Sequence, residues 1–155
     1  LSSYGLECQD VRAVMRDATP RSLVLLDEMG KGTEVAAATA LSGAMLEALA
    51  ERRSCVVFAT HLHDLVGITA HLEASGRLAY MCMEVRRADD GGGSGDGGGG
   101  NGLAVGAAAA ASAAAGLPHH SPTWRVVPGV CYESLAMQVA LDQGVDATLV
   151  SRAGE

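Results

Sequence analysis

The first part of the chain switches between two apolar patterns, one-sided helical spacing and continuous runs, and each switch marks an element. Residues 7–18 place Val11, Val14 and Met15 on one face, with Pro20 just beyond, which predicts a short helix. Ser22-Leu-Val-Leu-Leu26 is an unbroken apolar run closed by Asp27 and Glu28, the pattern of a parallel strand covered on both faces. Gly30 and Gly32 mark a tight loop. Val35, Ala38, Leu41, Met45 and Leu49 then recur at helical spacing, which predicts a helix over residues 33–53. Residues 54–59 form a second buried strand ending at Thr60 and His61, so strand, helix and strand make a right-handed βαβ unit.

The remainder is less regular. A short helix is expected near residues 62–66 and a strand over 78–86, with Thr123-Trp-Arg-Val-Val127 as its antiparallel partner. Residues 134–143 read as a helix closed by Gly144, and residues 147–153 as the start of another. Between the paired strands, residues 91–106 hold 10 of the 20 glycines, and an alanine run follows. Nothing there supplies an apolar face, so residues 88–122 are expected to be an overgrown hairpin tip outside the core, with His119 and His120 in solvent.

Composition narrows the chemistry. Aromatics are 3% of the 155 residues, so Leu, Val, Met and Ala must build the core. The net charge of −7 provides no basic face for a phosphate backbone; if the protein handles DNA, other segments grip it. Cys8, Cys55, Cys82 and Cys131 lack metal-ligand spacing and read as reduced, buried, intracellular thiols. No apolar run approaches membrane-spanning length, and no membrane partner is expected. The chain begins at Leu1 rather than Met, so more sequence is expected before it.

The sharpest feature is Ser22-Leu-Val-Leu-Leu-Asp-Glu28-Met-Gly-Lys-Gly-Thr33. An apolar strand delivering two adjacent carboxylates to its C-terminal edge places them where open α/β sheets bind ligands. In nucleotide hydrolysis one such acid holds Mg²⁺ and the next orients the attacking water. Neighbouring strand residues point to opposite faces, so only a turn after Asp27 lets both acids serve one site.

This stretch resembles the Walker B and D-loop segment of the MutS family of mismatch repair ATPases. Ser2-Ser-Tyr-Gly-Leu-Glu7 resembles the family's Ser-Thr-Phe-Met-x-Glu signature loop, and Asp17-Ala-Thr19 its Asn-Ala-Thr. Phe58-Ala-Thr-His-Leu-His63-Asp-Leu65 resembles Phe-Ala-Thr-His-Tyr-His-Glu-Leu. Gly129-Val-Cys-Tyr-Glu-Ser-Leu-Ala136, with Ala140 and Gly144, resembles the family's closing segment. Gly32-Thr-Glu34, Thr60-His-Leu-His63 and Pro122-Thr-Trp-Arg125 are most similar to the plant and algal organellar homologues.

The resemblance implies an α/β fold, part of an ABC-type (P-loop NTPase) domain with a parallel βαβ core, a β-hairpin and C-terminal helices. Residues 1–87 would be the ATPase core, 88–122 an insertion, and 123–155 the return to the same domain. It implies ATP and Mg²⁺ as cofactors, with Asp27 on the metal, Glu28 on the hydrolytic water and His61 sensing the γ-phosphate. Ser2 would donate to nucleotide held by a second subunit, most simply a homodimer partner, while Gly30, Lys31, Gly32 and Thr33 form the D-loop across that boundary. Mismatched double-stranded DNA would be bound through domains upstream, and an organellar endonuclease domain would follow downstream. The setting implied is a chloroplast or mitochondrion, with the nucleus as the other option.

Departures from the pattern matter too. Ala38 stands where the family commonly has glycine, and no Gly-x-x-x-x-Gly-Lys-Ser/Thr phosphate loop occurs. Residues 1–155 are therefore expected to be an incomplete ATPase, inactive alone, and a truncated dimerisation fragment is the alternative. A remoter alternative is a dizinc hydrolase, since Thr60-His-Leu-His63-Asp64 is similar to a His-x-His metal motif. Its aspartate falls one residue early and no histidine follows.

Overall fold

The computed structural model describes residues 2–87, 120–132 and 134–153, and these fall into two compact units, 1–80 and 81–155. In the first unit, helix α1 (Ser3–Asp17) leads to strand β1 (Leu23–Asp27), helix α2 (Val35–Glu51), strand β2 (Cys55–Ala59) and helix α3 (Leu65–Ala74). β1 and β2 are parallel, with Leu23 opposite Cys55 and Asp27 opposite Ala59. The expected strand–helix–strand unit is present.

One face of this strand pair makes the core. Val24 and Leu26 of β1, with Val56 and Phe58 of β2, pack against Met45 and Leu49 of α2 and against Val11, Val14 and Met15 of α1. Of the helical spacing read from the sequence, Leu41, Met45 and Leu49 join this core, whereas Val35 is exposed. Burying a side chain such as Leu49 contributes about 2 kcal/mol. A second cluster joins Ala38 of α2 to Leu62 and Leu65 at the start of α3.

The other face departs from expectation. Leu23, Leu25 and Val57 point away from the core and are exposed, so among the described residues the strands are covered on one face and not two. Cys55 shares that face and is exposed, which corrects the expectation of buried thiols. The third helix also begins later and runs further than the sequence suggested.

In the second unit, strands β3 (Met81–Arg87) and β4 (His120–Pro128) pair antiparallel. The connecting tract lies outside the described residues, but its last positions, 120–122, are strand. His120 is buried, contrary to the expected solvated loop: its amide donates to Gln138 Oε1 at 2.7 Å, and Gln138 Nε2 donates back to its carbonyl at 2.8 Å. Between Met83–Val126 and Val85–Pro122 the ladder slips, and the bulge leaves Trp124 left-handed at φ 60° and 80% exposed. The Thr123 hydroxyl lies 2.8 Å from Glu84 Oε2 and 3.1 Å from its carbonyl, fixing the bulge. Helices α4 (Ala136–Asp142) and α5 (Ala147–Ala153) follow, and Gly144 at φ 84° ends α4 as expected. Its amide bonds Leu141 and the Val145 amide bonds Ala140, the double closure of a Schellman cap.

Candidate functional site

The C-terminal edge of the β1–β2 pair collects the acid pair and the imidazole. Asp27 is the last paired residue of β1 and is exposed. The Glu28 amide still donates to the Ala59 carbonyl at 2.8 Å, so the ladder continues one step past the strand. Glu28 then takes a left-handed φ of 44°, a conformation costly for a residue with a Cβ. This is the turn the acid pair requires. It also sends the next side chain, Met29, inward to the core beside Val24, Met45 and Leu49.

His61 lies just beyond β2, and its Nδ1 is 3.9 Å from Glu28 Oε1. The other carboxylate oxygen, Oε2, is 2.6 Å from Lys31 Nζ. The Lys31 ammonium, by hydrogen bond and charge, holds the Glu28 carboxyl below its ordinary value; desolvation opposes this, and His61 adds to it. Glu28 in turn raises Lys31, with smaller contributions from Asp27 and Glu7.

The loop carrying these groups is fixed at several points. Gly30 adopts φ 91°, and a Cβ there would fall far inside van der Waals contact of Ala38 Cβ. Its amide donates to Glu7 Oε2 of α1 at 2.7 Å. A Cβ at Gly32 would meet Ser3 Oγ at 2.9 Å and Tyr4 Cβ at 3.0 Å, so the loop also lies against the first turn of α1. The Thr33 amide closes the turn on the Gly30 carbonyl at 3.3 Å.

Ser2 caps α1: its backbone is extended and its Oγ accepts the Gly5 amide at 3.1 Å. The hydroxyl proton remains available to a ligand, at a helix N-terminus that favours anions. Every site residue singled out in the sequence thus lies at the strand edge, in the loop after it, or at the end of α1 beside that loop. Sequence reasoning left Met29, which anchors the loop in the core, and Glu7, which accepts the Gly30 amide, outside the candidate site, although both stand in stretches that carry the resemblance.

Asp27 presents an exposed carboxylate at the strand end, an oxygen donor of the kind that hard cations take. Among the described residues no three His, Cys, Asp or Glu side chains gather as a metal cage, and the dizinc alternative finds no ligand set among them. Among them, too, no helix is long and apolar enough to cross a membrane.

Comparison with known proteins agrees with these motifs. The family model described as MutS domain V matches residues 1–91. The mitochondrial DNA mismatch repair protein MSH1 of Arabidopsis thaliana is 29% identical over 98% of this chain and 11% of its own length. DNA mismatch repair protein MutS of Thermus thermophilus is 45% identical over 43% of this chain and 8% of its own. DNA mismatch repair protein msh-3 of Neurospora crassa is 42% identical over 46% of this chain and 6% of its own. The chain thus spans a small part of each relative, and across that span it belongs to the MutS family, through domain V.

Proposed function

We propose that these residues supply the hydrolytic side of an ATPase site in a MutS-type mismatch repair protein, within a P-loop NTPase fold of the ABC type. The observation that carries this reading is the approach of His61 to Glu28 at 3.9 Å, on the strand edge where Asp27 ends β1. Bound there, Mg²⁺ would neutralise charge developing on the transferred phosphoryl group. Asp27 would hold that ion through water. Glu28 would orient the attacking water with the carboxylate oxygen that faces His61, while His61 would meet the γ-phosphate. Because the sequence contains no phosphate-cradling loop, the triphosphate must be held largely by groups outside residues 1–155.

Ser2 and the D-loop, Gly30 to Thr33, would meet nucleotide across a boundary with a second subunit, so ATP binding would close a homodimer. Mismatched DNA would be gripped by other domains, in keeping with the acidic charge of this one. The match to the Arabidopsis relative along nearly the whole chain supports an organellar, mitochondrial setting.

The test is Glu28→Gln in the full-length protein. It should bind ATP and dimerise normally but lose about a hundredfold or more in steady-state hydrolysis. Unchanged hydrolysis overturns the reading.

A further inference from the structure

The bond between Gly30 and Glu7 links two parts of the site that lie 23 residues apart. Glu7 is half-buried in α1, little more than one turn past the Ser2 cap, and Gly30 is buried two residues after Glu28. A carboxylate accepting a backbone amide at 2.7 Å is a short, charge-assisted hydrogen bond, and a buried glycine amide left without it would be costly. The loop has little freedom to compensate. Met29 is held in the core, Gly30 is pressed on Ala38, and Gly32 lies against Ser3 and Tyr4. A shift of the first turns of α1 therefore acts on the loop that keeps Glu28 left-handed.

From this we infer that Glu7 is a positioning residue for hydrolysis: its carboxylate ties the Ser2 end of α1 to the Glu28 turn, so that engagement of Ser2 by nucleotide on a partner subunit sets the hydrolytic carboxylate. This rests on the functional reading above and deepens it. Reach is the decisive property. Glutamine keeps an oxygen at the same distance along the side chain, whereas aspartate keeps the charge and falls one methylene short.

Glu7→Gln, Glu7→Asp and Glu7→Ala in the full-length protein, with Glu28→Gln as reference, separate the possibilities. Glu7→Asp and Glu7→Ala should lower kcat about tenfold or more with little change in KM for ATP, and Glu7→Gln should retain most activity. Hydrogen–deuterium exchange of the peptide spanning residues 28–33 should accelerate in the Asp and Ala variants and stay slow in Gln. Wild-type kcat in Glu7→Asp, or loss in Glu7→Gln equal to that in Glu7→Ala, overturns the inference while leaving Glu28 in its role. If Glu28→Gln itself hydrolyses normally, the functional reading fails and the kinetic role of Glu7 falls with it, whatever the exchange data show of the bond.

Discussion

Lys31 and His61 occupy opposite oxygens of the Glu28 carboxylate, the ammonium 2.6 Å from Oε2 and the imidazole Nδ1 3.9 Å from Oε1. The carboxylate is thereby kept ionised and in place. Both partners of the ion pair are exposed, at 59% and 42%, so water and salt screen it and its contribution to stability is small. Its role is orientation and charge state.

The pH dependence follows from those shifts. Glu28 lies below the ordinary carboxylate value, so what the pair contributes is present above that value and lost as pH falls through the lowered one. Lys31 is raised, so on the alkaline side the contribution is lost as pH climbs through the raised value. Lys31→Met should move the Glu28 carboxyl titration upward, read by carbon NMR, and flatten the acid limb of stability against pH. An unmoved titration would show that Lys31 does not hold the carboxylate in solution.

At Gly30 the backbone and the space agree. Gly30→Ala forces a Cβ into a φ of 91° and onto Ala38, and should cost about 2 kcal/mol or more in urea unfolding. Ala38→Gly in the same protein removes the collision but not the dihedral strain, so the double variant should recover part of the loss. Strict additivity of the two would mean the side chains do not meet.

Glu28→Gly gives the opposite sign. Glycine accepts φ 44° without strain, so the urea midpoint should hold or rise even though the Lys31 contact is gone, while hydrolysis is lost. A clear fall in the midpoint would mean the turn is not strained.

Ser2 carries two roles that substitution can part. Ser2→Ala removes the cap on α1 and should cost about 1 kcal/mol. Ser2→Asp keeps the cap but brings a negative charge to the proposed phosphate contact, so stability should return while ATP-driven dimer closure weakens, measured by sedimentation. Closure equal to wild type in Ser2→Asp would remove Ser2 from the nucleotide boundary.

The sequence made visible whatever is periodic or local. The stripe of Met45 and Leu49, the apolar run into Asp27, the βαβ order and the Gly144 cap all follow from spacing and turn chemistry, and each is in the structure. The need for a turn between Asp27 and Glu28 was also legible, since strand geometry alone sets the two acids apart. Contacts between distant residues leave no such trace. Glu7 stands in the stretch that resembles the signature loop, but nothing local ties it to Gly30, and His120 sits in a tract whose composition hides the strand it begins. The Trp124 bulge is a register slip, which follows from pairing and not from either strand separately.

The bare side of β1 and β2 bears on how this stretch behaves in the tube. Leu23, Leu25 and Val57 form a greasy strip on two strands that, among the described residues, have no further strand beside them. Such a ribbon recruits further strands, so concentrated solutions of residues 1–155 should scatter light and brighten a hydrophobic dye. One lysine written onto the strip, Leu25→Lys, should clear them.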